Sequence, residues 1–382
     1  MSAICQKQIY IIYLLYCYIA PPFATLQLMW GRSFKLKMIA CKHTHFQLNL
    51  LYKQAIKQPH RLYRLWIPLK TEESTLQYAY VTFLMRGDGY LPGALVLAYT
   101  LKMQTKYDCI CLITEDVSNH AQCALRLVYD RVIIVNELRI KSDVRIGRND
   151  RNILMTRFEA LRLGQDGGLG QKYDKIILLD ADVLPLYKYD DLFSLQTPAG
   201  IVMEQKGNSY SGATSISNKW SWHEHYEPLC SHGTYTPKSI TERVKYDPSN
   251  MGVNSGLWVL SPSKSEYSNI VTALHKPEIM NLVKNFPWPE MQLATLLWSG
   301  RWVNIDIRYC SIGGYPRIEA IYGIHFAGLK PWQINSRSAI HYAKYPDFTL
   351  WRQFYTALYW SFTSLQEYPM LKRLWKFCND LK

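Results

Sequence analysis

The first 71 residues of this chain contain no aspartate or glutamate, although ten lysines and arginines lie among them. Most of the formal net charge of +14 therefore belongs to this segment, and the rest of the chain is only weakly basic. Basicity outside the main body of a chain is poor evidence that the body binds nucleic acid, so we predict no nucleic-acid partner. We assign residues 1–72 to a basic N-terminal extension.

Charged residues are also missing from residues 9–30, and an uncharged run of this length is long enough to span a bilayer. Pro21 and Pro22 interrupt the run, and no small-residue cleavage site of a signal peptide follows it. More basic residues follow the run than precede it, which keeps the following chain on the cytoplasmic side of a membrane. Two interpretations of residues 1–72 therefore stay open: a membrane segment, or an extension that does not contact a membrane.

The chain lacks any Asn-x-Ser/Thr sequon, and its nine cysteines show no spacing of a disulfide framework. Cys109 and Cys111 lie inside an apolar, strand-like run, which favours buried thiols over disulfide bridges. These features favour a cytoplasmic location, with a membrane-anchored protein as the alternative.

Near-continuous apolar runs alternate with helical segments along the chain. The predicted strands are residues 78–84, 108–114, 131–135, 175–179 and 251–260. The predicted helices are residues 91–102, 117–128, 152–163, 264–275 and 290–299. This alternation is typical of an α/β protein with a parallel, doubly wound sheet. We predict a single Rossmann-like domain with a mainly parallel sheet over residues 73–335, and a helical tail over residues 336–382 that packs on it.

Two carboxylates, Asp180 and Asp182, come directly after the predicted strand 175–179. Ligands of doubly wound sheets bind at the carboxyl ends of strands, so this Asp-x-Asp motif lies where a ligand is expected. Taken alone, the two side chains could equally cap the following turn.

The block HFAGLKPW, residues 325–332, follows residues 318–324, which read as another strand. An imidazole can ligate a metal, Gly328 lets the backbone approach a phosphate, and Lys330 supplies a point charge. Two carboxylates and one distant histidine, His325, suit a divalent cation such as Mn²⁺ or Mg²⁺. Together the two motifs predict a metal-dependent nucleotide-sugar transferase.

Four sequence blocks, in their order and rough spacing, resemble the family-8 glycosyltransferases. This is a retaining group of fold type A that includes glycogenin and the plant glucuronosyltransferases acting on xylan. The blocks are AYVTFLMRGDGYLPGALVLAYTLK (79–102), YDKIILLDADVLPLYKYDDLF (173–193), VNSGLWVLSPS (253–263) and HFAGLKPW (325–332).

The resemblance implies a Mn²⁺-dependent transfer of a hexose or hexuronic acid from a UDP-sugar, with retention, to a hydroxyl of a glycan or glycosylated protein. It implies three metal ligands, Asp180, Asp182 and His325. The residues it implies in catalysis are Asp180, Asp182, Lys330, Glu290 and Gln292. The residues it implies in donor binding are Phe83, Tyr90, Arg157, Ala181, Asn254, Ser255, Gly328 and Lys330.

The chain departs from the family pattern at residues 290–292, where it has Glu-Met-Gln and the family has Asp-Gln-Gly. Either Glu290 or Gln292 is therefore predicted to face the donor sugar. The acceptor tyrosine of glycogenin has no secure counterpart, although Tyr309 and Tyr315 lie in the right region.

We accordingly predict an external acceptor, covered by an aromatic insertion over residues 204–250. A self-glucosylating primer like glycogenin and a metal-dependent nucleotidyltransferase are the alternatives, and a homodimer stays open.

Overall fold

The structure is a computed structural model that describes residues 76–140, 151–203, 230–312, 318–334, 340–341, 343 and 345–380. The strands are β1 Tyr78–Leu84, β2 Asp108–Ile113, β3 Arg131–Ile134, β4 Lys175–Leu179, β5 Val183–Pro185, β6 Ala199–Met203, β7 Gly252–Leu260, β8 Val303–Asn304, β9 Ser311–Ile312 and β10 Gly323–His325. The α-helices are α1 Leu91–Lys102, α2 Asn119–Arg126, α3 Lys238–Thr241, α4 Lys264–Leu274, α5 Pro277–Val283, α6 Pro289–Leu297, α7 Pro346–Ser361 and α8 Pro369–Asp380. The longest 3₁₀ helix is Arg151–Leu163.

Seven strands form the main sheet in the order β3-β2-β1-β4-β7-β6-β8. The neighbours β3, β2, β1 and β4 are parallel, and so are β6 and β8. The predicted α/β class with a mainly parallel sheet is therefore confirmed.

One strand runs against the predicted direction, because β7 is antiparallel to both β4 and β6. All nine residues of β7 are buried, so it reads as the same continuous apolar run that a central parallel strand shows. Burial on both faces sets the composition of a strand, whereas its direction depends on the connection that precedes it. The sequence pattern alone could not distinguish the two directions.

A second, three-stranded sheet has the order β5-β10-β9 and lies beyond the end of β4. The predicted strand 318–324 is wrong in extent, since Ile318–Ala320 is a 3₁₀ turn and β10 covers Gly323–His325. The partner strand β5 ends at Pro185, which pairs with Gly323, and the Leu186 N–H that follows still donates to the Tyr322 carbonyl at 2.7 Å. The regular ladder of β10 therefore has three residues.

The turn that follows β1 is tied to the start of α2. Ser118 caps α2 by accepting a hydrogen bond from the Ala121 N–H, and its hydroxyl donates to Asp88 at 2.6 Å. Helix α1 follows the same turn with Pro92 in its first turn, where a missing N–H costs nothing. These contacts place Tyr90, between the turn and α1, at the carboxyl end of β1.

The last two helices lie after the predicted domain end at residue 335. Helix α7 packs on α1, and its Trp351 ring lies 5.4 Å from that of Trp332. Tyr355 of α7 donates a hydrogen bond to the Leu371 carbonyl of α8 at 2.7 Å.

Several predictions fall on residues that the structure does not describe. They concern the extension 1–72 with its uncharged run, residues 204–229 of the insertion, and Tyr315. Within the described ranges, no helix combines the length and apolar character needed to cross a membrane.

Candidate active site

The two carboxylates of the Asp-x-Asp motif lie at the junction of the two sheets. Strand β4 ends at Leu179, and the N–H of Asp180 donates to the carbonyl of Gly256 on β7 at 3.1 Å. The Val183 N–H closes a turn onto the Asp180 carbonyl at 3.0 Å, and β5 begins there. Asp180 is half-buried and Asp182 is buried. The turn therefore presents both side chains at the carboxyl end of β4, as the motif predicted.

The imidazole of His325 meets these carboxylates because β10 pairs with β5. His325 is opposite Val183 in that ladder, and the next N–H, of Phe326, donates to the Asp182 carbonyl at 2.9 Å. Nε2 of His325 lies 3.3 Å from Oδ1 of Asp182 and 3.5 Å from Oδ2 of Asp180. We call Asp180, Asp182 and His325 the metal triad.

The geometry of the metal triad fits a divalent cation. Its ligand atoms lie within 4.8 Å of one another. Adjacent ligands of an octahedral ion with bonds of about 2.1 Å are roughly 3 Å apart, close to the distances from Nε2 of His325. Oδ1 of Asp182 is buried and has no hydrogen-bond partner among the described residues. A carboxylate and imidazole donor set of this kind suits Mn²⁺ or Mg²⁺.

Each carboxylate of the triad also has a basic partner. Arg157 pairs with Asp180, donates to the Ser255 carbonyl, and lies 5.7 Å from the centre of the Trp258 ring. Lys330 pairs with Asp182.

The lysine is held in a small buried space. Its ammonium also donates to the Phe326 carbonyl and lies 5.7 Å from the centre of the Tyr90 ring. Lys330 is only 4% exposed, so its charge faces the site and not bulk water.

Burial and charge act in opposite directions on the ionisation of the triad. Burial raises the pKa of Asp182, but Lys330 and His325 outweigh it and hold that pKa well below its usual range. Burial lowers the pKa of His325, but the neighbouring Cys310 and Asp182 outweigh it and raise that pKa to about 10. Both residues therefore favour their charged forms in the metal-free protein.

Glu290 is a buried carboxylate with one free oxygen. Its Oε1 accepts a hydrogen bond from the Ser255 hydroxyl at 3.2 Å, and its Oε2 has no partner among the described residues. Burial raises the pKa of Glu290, and the nearby Arg157 opposes the rise. The free Oε2 can accept a hydrogen bond from a ligand in the same space as the metal triad.

Gln292, the other candidate from residues 290–292, has its amide engaged with the backbone. Its Nε2 donates to the carbonyls of Pro248 and Asn250 at 2.7 and 2.8 Å, and its Oε1 accepts from the Trp288 N–H at 2.9 Å. These bonds hold the segment that enters β7. Gln292 therefore positions the backbone that carries Asn254 and Ser255.

The remaining predicted donor residues lie at several places along the fold. The Tyr90 ring lies edge-to-face with Trp332 at 5.6 Å, and Trp332 donates to the Gly89 carbonyl at 2.9 Å. The predicted donor residues that are buried in or beside strands are Phe83, Ala181 and Asn254. Gly328 lies in the exposed turn that precedes Lys330.

Tyr309, one of the two tyrosines near the glycogenin acceptor position, is buried and engaged. Its hydroxyl donates to the carboxylate of Asp191, and its carbonyl accepts from the Tyr189 hydroxyl. The His232 ring stacks on it with centroids 5.5 Å apart. The hydroxyl of Tyr309 is thus committed within the fold.

Three residues that sequence reasoning did not select also shape the site. Trp258 lies beside Arg157, Cys310 lies beside His325, and Gly256 contacts both Asp180 and His325. Gly256 and Trp258 lie within the block VNSGLWVLSPS, close in sequence to Ser255, so the sequence could have indicated that they belong to the site. Cys310 carried no signal, because only the pairing of β9 with β10 brings it near His325.

The sequence profile of glycosyl transferase family 8 matches residues 81–336. The chain belongs to this family and is a glycosyltransferase, and the predicted fold class, a fold-type-A glycosyltransferase, is confirmed with it. Membership of this family also decides against the nucleotidyltransferase alternative.

Related proteins cover different shares of the chain. An uncharacterized protein of Acanthamoeba polyphaga mimivirus is 31% identical over 275 residues, which are 69% of this chain and 85% of that protein. Galactinol synthase 7 of Arabidopsis thaliana is 23% identical over 279 residues, which are 69% of this chain and 76% of that protein. Glycogenin-1 of Homo sapiens is 34% identical over 119 residues, which are 30% of this chain and 32% of that protein.

Among solved structures, the galactosyltransferase LgtC in complex with donor and acceptor sugar analogs is similar to this chain, with a TM-score of 0.47 and 13% identity. The similarity covers 71% of this chain and 94% of that one.

Proposed function

We propose that this glycosyltransferase moves a hexose or hexuronic acid from a UDP-sugar to a hydroxyl of a glycan or glycosylated protein, with retention and with dependence on Mn²⁺. The observation that carries the proposal is the metal triad flanked by Lys330 and Arg157. Carboxylates, an imidazole and two cations converge there at the carboxyl end of β4. A nucleotide diphosphate with its cation has the complementary charges.

Asp180, Asp182 and His325 are the residues that would hold the metal ion. When bound, a divalent cation supplies electrostatic stabilisation to a departing diphosphate. Mn²⁺ suits a donor set that includes imidazole, and Mg²⁺ is the alternative because two of the three ligands are carboxylates.

Lys330 supplies a positive charge to the diphosphate as it leaves. Its ammonium is buried and held by the Phe326 carbonyl, so it is oriented before a ligand arrives. A preorganised charge of this kind stabilises the transition state more than it stabilises the bound donor. Arg157 contributes a second cation, which pairs with Asp180 and donates to the Ser255 carbonyl.

Glu290 is the carboxylate that we assign to the donor sugar. Its free Oε2 and its bond from Ser255 leave it able to stabilise positive charge that develops at the anomeric carbon. Gln292 serves the site through the backbone that it holds.

A covalent sugar intermediate would need a free carboxylate nucleophile. Asp180 and Asp182 are paired with Arg157 and Lys330, and we assign the free Oε2 of Glu290 to electrostatic stabilisation of the anomeric carbon and not to a covalent bond with it. We therefore propose same-face attack by the acceptor hydroxyl, with the leaving phosphate taking the proton.

The acceptor in this proposal is external. The hydroxyl of Tyr309 is bound to Asp191 and its side chain is buried, so it is poorly placed to accept a sugar. Self-glucosylation stays the alternative through Tyr315, which lies outside the described residues.

The test is release of UDP from UDP-glucose, UDP-galactose, UDP-glucuronic acid and UDP-xylose, each with Mn²⁺, with Mg²⁺ and with excess chelator. Each donor is tested with oligosaccharide acceptors, which take the sugar on a hydroxyl, and with water as the acceptor. We expect release with at least one donor and Mn²⁺, and none with chelator. The variant Asp182→Asn should lose release, and circular dichroism should be recorded beside it, because the change leaves the buried ammonium of Lys330 without its carboxylate. Activity that survives chelation would refute the metal dependence, and binding of UDP without any release would indicate a non-catalytic binding protein.

A further inference from the structure

Gly256 lies where the backbone of β7 passes between Asp180 and His325. We infer that Gly256 is a positioning residue of the metal triad and acts on the imidazole through its lack of a side chain. The inference rests on the proposed metal dependence and adds to it a residue that touches neither donor nor metal.

Space beside Gly256 is occupied by the imidazole itself. A Cβ at this position would lie 2.5 Å from Cε1 and 2.6 Å from Nδ1 of His325, and 2.8 Å from Oδ1 of Asn254. Gly256 is not among the glycines with positive φ, so its backbone conformation is open to any residue. The requirement for glycine here is therefore steric; it comes mainly from His325, whose two ring atoms are the nearest, and secondarily from Oδ1 of Asn254.

The backbone of Gly256 cannot retreat easily from the imidazole. Its carbonyl accepts the hydrogen bond from Asp180 at 3.1 Å, and its N–H donates to Oδ1 of Asn254 at 2.8 Å. The next residue, Leu257, is paired with Leu179 of β4, and Asn254, two residues before Gly256, is paired with Ile201 of β6. Movement of Gly256 would also pull on Asp180, which is another member of the triad.

The imidazole has little freedom to move either. His325 is 6% exposed, and its backbone is paired with β5 on one side and β9 on the other. Carbon atoms in contact lie about 3.5–4.0 Å apart, so a methyl group at Gly256 demands a shift of about 1 Å. Metal–ligand distances tolerate only about 0.2 Å, so such a shift takes Nε2 out of reach of the shared ion.

The experiment measures Mn²⁺ affinity from the EPR signal of the free ion, with UDP present and absent. Gly256→Ala should weaken Mn²⁺ binding about 10–100-fold, the loss typical when a residue that orients a ligand is changed. Gly164→Ala is the matched control, because its Cβ would lie 2.8 Å from the Pro262 carbonyl oxygen and touches no member of the triad. The control should lose stability and keep its Mn²⁺ affinity.

A double variant separates an effect on His325 from general damage. If Gly256 acts through the imidazole, Gly256→Ala should cost no further Mn²⁺ affinity in a His325→Ala background. Removal of the imidazole also frees the space, so the double variant should unfold at a higher urea concentration than Gly256→Ala alone. This stability comparison decides the question even where Gly256→Ala alone is too unstable for the EPR measurement.

Three results would overturn the inference. They are wild-type Mn²⁺ affinity in Gly256→Ala, additive losses of affinity in the double variant, and no recovery of stability when His325 is removed. A wild-type protein that binds no Mn²⁺ with UDP would refute the metal-dependent function as well, whereas the three results above leave that function standing.

Discussion

Replacement of Lys330 with methionine tests the electrostatics of the site most directly. The methionine side chain is similar in length and apolar, so the change removes the charge with little change in volume. It leaves Asp182 buried, with the imidazole of His325 as its remaining charged neighbour. Both the stability of the metal-free protein and the rate of transfer should fall.

The loss of stability follows from the burial of the pair. Two opposite charges about 4 Å apart interact by about 4 kcal/mol at an effective dielectric constant of about 20. Removal of one partner of a buried pair costs about 3–5 kcal/mol, because the other charge stays buried. Since His325 also faces Asp182, we expect the lower end, about 3 kcal/mol, for the metal-free protein.

Mn²⁺ should restore part of this loss in Lys330→Met, since an ion at the triad replaces the missing positive charge next to Asp182. Transfer should not recover in the same way. The lost charge is the one assigned to the departing diphosphate, so kcat should fall about 100–1000-fold while KM for the donor changes much less.

The assays are urea denaturation with and without Mn²⁺, and steady-state release of UDP. Lys330→Arg is the control, because it keeps the charge but not the compact ammonium, and should be intermediate in kcat. An unchanged kcat with only a raised KM would show that the lysine binds the donor uniformly, which contradicts its assigned role. Unchanged stability without metal would show that the pair with Asp182 does not form in solution.

Three further predictions concern other parts of the chain. Glu290→Gln should abolish most transfer yet stabilise the metal-free protein at neutral pH. Because burial raises the pKa of Glu290, the folded state holds this proton more tightly than the unfolded state. The contribution of Glu290 to stability therefore falls as pH rises from about 4 through the raised value, and Glu290→Gln lacks this contribution. Equal urea midpoints of the two proteins at pH 5 and pH 8 would contradict this. Tyr309→Phe should lose about 1 kcal/mol of stability, because it loses the hydrogen bond to Asp191, and it should keep full transfer to an external acceptor. Intact-mass analysis with UDP-glucose and Mn²⁺ should show no added hexose on the wild type or on this variant. A chain that begins near Thr71 should fold and bind UDP with Mn²⁺, because every matched block lies after residue 77. An insoluble product would show that the extension is part of the catalytic domain.

The sequence was sufficient for the features that depend on local pattern. Residues 176–179 are apolar because this part of β4 is buried on both faces, and the carboxylates after it must lie at its carboxyl end. The block at residues 325–332 predicted that an imidazole and a lysine serve the same site. Both side chains do meet Asp182.

Other features depend on contacts between residues that are distant in the chain. The direction of β7 and the length of β10 depend on their partner strands, and neither partner can be read from the strand itself. Our proposal of Glu290 and not Gln292 for the donor sugar rests on their hydrogen bonds, because both residue types can serve a sugar site. Only the tertiary structure shows that Gln292 is engaged with Pro248 and Asn250.

Gly256 illustrates the difference most clearly. Within its own block it reads as a small residue in a strand, and its φ gives no local reason for glycine. The reason is the ring of His325, which lies 69 positions further along the chain and reaches β7 only through the second sheet. Local sequence patterns record burial and backbone preference, whereas the space left for a side chain is set by whatever the completed fold packs against it.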